Sequence, residues 1–260
     1  MVVYLTAITL TTDFRGHHVG IMRGVIKRVS PEAEVVELST EIKPFAVKSG
    51  AFVLYSSYRY YPPGTIHLAV VDPGVGSQRK AIAVKTENYL FVGPDNGLLI
   101  PAAREDGIVQ VRELTNRSLF LDNISRTFHG RDVFAPVAAF LSKGGAFEDV
   151  GDRSDSYVDM SFFKSFEGGL VVSEILFEDK FGNLAISLAE KDTKLEDEMR
   201  ISIKGRYYRA KRVNTYAEGD KGLMVLVGSE GFYEIAVKNG SASQLTGAGL
   251  DDRVTITTVG

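Results

Sequence analysis

Apolar positions along the first 150 residues alternate between a strand-like and a helix-like period. The run "VVYLTAITL" (2–10) is rich in β-branched residues, which predicts a buried strand. In "VGIMRGVIKRVSP", Val19, Met22, Ile26 and Val29 recur three and four apart, which predicts an amphipathic helix stopped at Pro31. "AEVVELS" reads as a strand, "AVKSGAFVLYSSYRYYPPG" as a helix ended by Pro-Pro-Gly, and "TIHLAVVD" as a strand running into a glycine loop. "KAIAVKT" and "YLFVGPD" suit a strand pair, "IVQVREL" another strand, and "RDVFAPVAAFLSKGG" a helix closed by glycines. Pro136 must sit in the first turn of that helix or kink it. Strands alternating with helices predict an α/β domain with a mixed, largely parallel sheet.

The pattern changes near residue 151. "GDRSDSYVDMSFFKSFEGG" keeps no period and ends in Gly-Gly, as a linker would. Beyond it the period is two: "GLVVSEILFED", "MRISIKGRYYRAKRV", "LMVLVGSEGFYEIAV" and "RVTITTVG" are separated by glycine- or charge-rich turns. That predicts a smaller all-β, barrel-like domain. The expected organisation is an N-terminal domain over 1–155, a linker over 156–169 and a C-terminal domain over 170–260.

Composition narrows the function classes. The chain has 260 residues, 44% hydrophobic and 24% charged, with a net charge of −3 and both signs interspersed. That is enough for two cores, and without a basic stripe nucleic acid is not an expected partner. It has no cysteine, which removes disulfides, thiolate chemistry and thiolate metal sites. The start carries no basic segment ahead of its apolar run, and no apolar run approaches the roughly 20 residues of a membrane span. The expectation is a cytoplasmic protein with no membrane partner.

Four loops combine a carboxylate with glycine at or near predicted strand ends: "LTTDFRGHHVG", "VVDPGVGSQRK", "VGPDNG" and "FHGRD". Ligands of α/β sheets bind beyond the carboxyl ends of strands, so a pocket shared by the four is the favoured reading. Each alone is equally a turn, since Asp, Asn, Gly and Pro are turn formers. Asp13 suits the vicinal hydroxyls of a ribose and stands too early to cap the following helix. There is no G-x-G-x-x-G or Walker A pattern, so a nucleoside without polyphosphate fits better. Asp72 and Arg79 lie seven residues apart across a Pro-Gly-x-Gly turn, and His129 supplies a third polar group. Such a cluster can hold water, with Asp72 or His129 accepting a proton. It is equally a structural salt bridge beside a loop histidine. His17 and His18 read as surface residues, and His67 as a core histidine.

In the β-domain, "FEDKFGNLAIS" places Asp179, Phe181 and Asn183 in one loop. They could take an ammonium, stack on a base and read an amide-like base edge, although "DKFGN" also suits a plain turn. Ser229 beside a glycine is similarly open.

Together, "TTDF", "VVDPGVGSQR", "GPDNG", "FHGRDVFAPVAA", "KFGNL" and "GSEGFYEIAV" resemble the S-adenosylmethionine hydroxide adenosyltransferases, relatives of fluorinase and chlorinase, over nearly the whole chain. The resemblance implies S-adenosyl-L-methionine hydrolysis to adenosine and L-methionine by water or hydroxide attacking C5′. No metal or cofactor is implied, S-adenosyl-L-methionine being the substrate. It further implies a homotrimer with each site between one subunit's N-domain and a neighbour's C-domain. By motif position the catalytic set is Asp72, Arg79 and His129; the family's halogenases have tyrosine in place of Asp72 and Tyr-Ser in place of His129-Gly130. Asp13 would hold the ribose, Asp179 and Ser229 the methionine amine and carboxylate, and Phe181, Asn183 and the backbone from Val237 to Asn239 the adenine. Two departures bear on methionine recognition. "AIS" follows "FGNL" where the family usually has Thr-Asn, and Glu230 stands where fluorinase has arginine. Competing readings are a 5′-halogenase, a metal-dependent phosphoesterase using Asp13, Asp72, Asp95, His129 and Asp132, and a nucleoside-binding sensor without turnover.

Overall fold

The computed structural model describes residues 6–258, in two compact units, Met1–Ser161 and Phe162–Gly260. The first part of the strand expected over 2–10 therefore lies outside the described residues.

In the first unit, six strands are ordered β2-β1-β3-β5-β4-β6, with β1 Ala7–Thr12, β2 Glu34–Ser39, β3 Ile66–Val70, β4 Ala81–Thr86, β5 Leu90–Pro94 and β6 Ile108–Glu113. The pairs β1–β2, β1–β3 and β3–β5 are parallel, while β4 runs antiparallel to β5 and β6. This is the mixed, largely parallel sheet expected from the alternating pattern. Every residue of β3 is buried, as a central parallel strand covered on both faces must be. Helices α1 (His17–Val29) and α4 (Ala135–Ser142) pack together, and Met22, Ile26, Val137 and Ala138 share a core with Ile8, Leu10, Leu68 and Val70. Helices α2 (Val47–Ser57) and α3 (Ile100–Glu105) form a second pair, touching β1 and β4 respectively. The short α3 has no periodic signal of its own. Pro136 occupies the first turn of α4, where its missing N–H costs nothing.

After β1 the chain crosses to β2 on one side; after β3 it continues to β4 and β5 on the other. The reversal opens a crevice at the carboxyl ends of β1 and β3, where Thr12 lies beside Val70. Asp13 and Asp72 follow these two ends.

The second unit contains β7 (Lys164–Glu167), β8 (Leu170–Glu178), β9 (Leu184–Ala189), β10 (Glu198–Ile203), β11 (Arg206–Arg212), β12 (Leu223–Val227), β13 (Phe232–Val237) and β14 (Arg253–Thr258), with the short helix α5 (Ala242–Thr246). The order β14-β10-β11-β12-β13-β9-β8 closes through β14–β8 pairing into a seven-stranded barrel, with β7 added outside β8. Closure removes free strand edges, and Tyr233, Ile186, Ile201 and Val225 fill the interior.

The stretch 156–169 is structured at both ends. Val158 N–H donates to Asp95 Oδ1 at 2.8 Å, and Arg104 pairs with Asp159. Gly168 and Gly169, both at positive φ, turn β7 into β8. Gly-Gly here serves a hairpin, the other structure that glycine pairs signal. No helix among the described residues is long and apolar enough to cross a membrane.

Candidate active site

The crevice is bounded first by the loop after β1. Asp13 Oδ2 accepts the Phe45 N–H at 2.8 Å. Phe45 has φ +67° and is 72% exposed, an unusual backbone for a bulky residue and one that the Asp13 bond helps to hold. Asp13 also forms part of a cavity wall.

The loop after β3 presents Asp72 and Arg79. Ser77 Oγ donates to the Gly74 carbonyl at 2.6 Å and accepts the Arg79 N–H at 3.3 Å, which tightens the turn. Gly76 has φ +77°, and a Cβ there would collide with the Arg126 carbonyl oxygen. Only glycine lets this loop close against the one carrying His129. Asn96 Nδ2 donates to the Val71 carbonyl at 2.8 Å and so fixes the backbone next to Asp72.

Arg79 is the hub. Its Nε lies 2.9 Å from Asp72 Oδ1 and 3.1 Å from Oδ2, and its Nη2 lies 2.5 Å from Oδ2. Nη2 also reaches His129 Nδ1 at 3.0 Å, and the guanidinium stands 5.3 Å from the centre of the Phe134 ring. The Arg79 and Asp72 side chains are only 11% and 6% exposed. Burial, reinforced by the Arg79 charge, holds the His129 imidazole below its ordinary pKa, so it is neutral at pH 7.

His129 precedes a π-helical turn, Gly130–Phe134, that runs directly into α4. Asp132 in this turn is fully buried. It accepts the Ser125 N–H at 2.8 Å and two Arg131 donors, Nε at 2.5 Å and Nη2 at 3.0 Å. Asp132 thus ties the preceding loop to the helix and fixes the approach of His129.

These loops enclose a cavity of about 530 Å³ whose wall includes Asp13, Asp72 and His129 with Phe14, Phe45 and Phe128. Phe14 and Phe128 meet edge to face at 5.6 Å. The polar groups therefore sit on an aromatic lining, as in sites that bind an apolar body through a few fixed polar contacts. Three of the four expected loops meet here. The fourth does not: Asp95 is spent on Val158 and Asn96 on Val71, so "VGPDNG" stays out of the wall and braces the backbone next to Asp72. His18, expected on the surface with His17, belongs to the wall, 5.2 Å from Phe128, because α1 begins at His17 and turns the next side chain inward. His67 is a core residue, bonded to Thr9 Oγ1 at 2.8 Å, its pKa pushed down to about 3 by burial.

The second unit has its own cavity of about 740 Å³, whose wall includes Asp179, Phe181, Asn183, Tyr216, Val237 and Asn239. Asp179 Oδ1 accepts the N–H groups of Phe181 at 2.8 Å and Asn183 at 2.9 Å, and Oδ2 accepts Asn183 Nδ2 at 2.9 Å. The loop is thus both a turn and a presented surface. Phe181 stands 64% exposed, while Asn183 is buried with its amide nitrogen committed to Asp179. Ser229 and Glu230 stand in the β12–β13 turn and outside that wall, Ser229 Oγ donating to Glu230 Oε1 at 2.7 Å. Sequence reasoning missed Tyr216 and Glu234. Tyr216 Oη donates to Glu234 Oε2 at 2.5 Å, and both groups have raised pKa values, first through burial. Asp179 and Glu230 add further negative potential to the pair. It also missed Phe14, Phe45 and Phe128. No periodicity marks a lone aromatic in a loop as a cavity wall.

The chain matches two family models, the SAM hydroxide adenosyltransferase N-terminal domain over residues 8–151 and the C-terminal domain over 173–255. It is 39% identical to the (R)-S-adenosyl-L-methionine hydrolase of Salinispora tropica, an alignment covering 96% of this chain and 97% of the relative. The enzyme of the same name from Methanocaldococcus jannaschii is 34% identical, over 97% and 96%. A crystal structure described as an uncharacterized conserved protein from Thermotoga maritima superposes with a TM-score of 0.89 at 38% identity, covering 97% of this chain and all of that one.

Proposed function

This chain belongs to the SAM hydroxide adenosyltransferase family, and from that premise we propose that it hydrolyses S-adenosyl-L-methionine to adenosine and L-methionine. The observation that carries the reading is Arg79 joining Asp72 and His129 at the end of β3, beside the carboxylate of Asp13. In the reaction, the oxygen of water bonds to C5′ as the C5′–sulfur bond breaks. The electron pair goes to sulfur, which leaves as the neutral thioether of methionine, so no acid is needed at the leaving group. Charge is lost from the sulfonium as the bond breaks, and closure of substrate against an aromatic lining that excludes water would favour that change. Alignment of oxygen and C5′ supplies much of the remainder, effective molarities reaching about 10⁵ M or more. S-Adenosyl-L-methionine is the substrate here, and the reaction requires no cofactor.

The substrate contacts divide between the two cavities. Asp13 binds the ribose hydroxyls. Asp179 takes the methionine ammonium and Ser229 its carboxylate. Phe181 and Asn183 meet the adenine, with the backbone from Val237 to Asn239 along its edge. Glu230 beside Ser229 leaves the carboxylate without a neighbouring cation. Because neither cavity alone contains both sets, we propose a homotrimer in which one subunit's first unit and a neighbour's second unit complete each site. Light scattering of active protein is expected to give the mass of three chains; an active monomer would contradict the arrangement.

A halogenase reading is disfavoured by Asp72 and His129-Gly130, which stand where the family's halogenases have tyrosine and Tyr-Ser. The test is incubation with separated sulfonium epimers of S-adenosyl-L-methionine, products being read by chromatography with and without EDTA. Adenosine and L-methionine are expected, without chelator sensitivity. Following the names of the relatives, the (R) epimer is the expected substrate. Persistence of both epimers would leave a binding protein, and a 5′-halogenated nucleoside formed in halide buffer would identify the halogenase.

A further inference from the structure

Two candidates on the wall of the first cavity can accept the proton that the attacking water loses, Asp72 and His129. The geometry decides between them. A guanidinium has five N–H donors and no acceptor. Its contact at 3.0 Å with His129 Nδ1 therefore requires Nδ1 to carry a lone pair. A neutral ring with Nδ1 bare carries its proton on Nε2. Protonating Nδ1 would set N–H against N–H, and the depressed pKa of the ring agrees with this. Arg79 and Asp72 face the ring from the loop after β3, and Asp132 acts on it from the following turn.

We infer that His129 is a fixed hydrogen-bond donor to the nucleophilic oxygen through Nε2–H, held in that tautomer by Arg79, and that Asp72 is the proton acceptor. This deepens the hydrolase reading above and rests on it. Asp72 receives three contacts from Arg79, two of them on Oδ2, which leaves a lone-pair position on Oδ1 out of about four in the carboxylate. The step then balances. The water oxygen bonds to C5′, the C5′–sulfur pair goes to sulfur, the water proton passes to Asp72 Oδ1 and on to solvent, and His129 keeps its proton throughout. The Nε2–H bond orients the oxygen so that its remaining lone pair points at C5′. Arg79 thereby has two roles: it stabilises negative charge on the oxygen and sets the tautomer of its neighbour.

Nitrogen NMR of uniformly ¹⁵N-histidine-labelled full-length protein reads the tautomer without turnover. The four histidines are few enough to assign by substitution. His129 is expected as the Nε2–H tautomer at neutral pH and at the ordinary imidazole value of 6.5. A protonated Nδ1 would overturn the inference. The kinetic arm compares His129→Gln, which keeps an N–H donor but cannot act as a base, with His129→Leu. The kcat of the glutamine variant should exceed that of the leucine variant by at least about tenfold, within the range of one positioned hydrogen bond. Equal loss in both folded variants would make the ring the base and overturn the assignment to Asp72. Absence of turnover in the native enzyme would instead count against the hydrolase reading, while the NMR result stands by itself.

Discussion

Replacing Arg79 by alanine is expected to lower kcat by about 10²-fold or more, in the range seen when an electrostatic or general-base group is removed. The guanidinium is 11% exposed and touches both Asp72 and His129, so its loss removes the charge and releases both neighbours together. Asp72→Ala should cost a similar factor by removing the proton acceptor. Residues that act as a unit are non-additive, so the double variant should fall little below either single one. Substrate affinity should change little in all three. A purely structural salt bridge gives a different pattern. Truncating one partner of a buried pair leaves the other charge uncompensated and destabilises by about 3–5 kcal/mol, so melting temperature would drop while kcat per folded molecule stayed intact. Measuring kcat well below the melting temperature, with the folded fraction determined independently, separates the two. Native kcat in folded Asp72→Ala and Arg79→Ala would remove the catalytic role.

Asp13→Ala should do the reverse, weakening substrate binding first. A hydrogen bond to a charged group contributes about 1.5–3 kcal/mol, or roughly 10- to 150-fold in affinity at about 1.4 kcal/mol per tenfold. Part of any loss would come from the chain itself, because Asp13 Oδ2 also accepts the N–H of Phe45, whose φ is +67°. Asp13→Asn isolates that part. Its amide oxygen still serves Phe45, but the charge and the second acceptor are gone. Asparagine should therefore preserve melting temperature and still bind substrate weakly. Full affinity in the asparagine variant, measured by calorimetry with a non-hydrolysable sulfonium analogue, would show that Asp13 supports the loop and does not bind the ribose.

The two units were legible in sequence to different depths. In the first, amphipathic α1 and the β-branched strands declare themselves by period, and the glycine-flanked carboxylates mark strand ends because ligands and turns there demand the same residues. In the second, β9 was passed over because all six of its residues are buried, so "LAISLA" shows no alternation. β7 was passed over because Gly-Gly suits a linker and a hairpin equally. The triad emerged as a candidate from residue chemistry, but its hub did not. Nothing in a seven-residue spacing shows that Arg79 also reaches His129, fifty positions away. Nor could "VGPDNG" be told apart from a pocket loop. Its side chains bond the Val71 carbonyl and the Val158 N–H, partners that only the folded chain brings near.

The central claim is that water attacks C5′ and methionine leaves with its sulfur. Turnover in H₂¹⁸O, with the adenosine examined by mass spectrometry, tests this most directly. One ¹⁸O atom is expected in each adenosine, at the 5′ oxygen, with L-methionine unlabelled. Unlabelled adenosine, or label found only in the methionine, would contradict it.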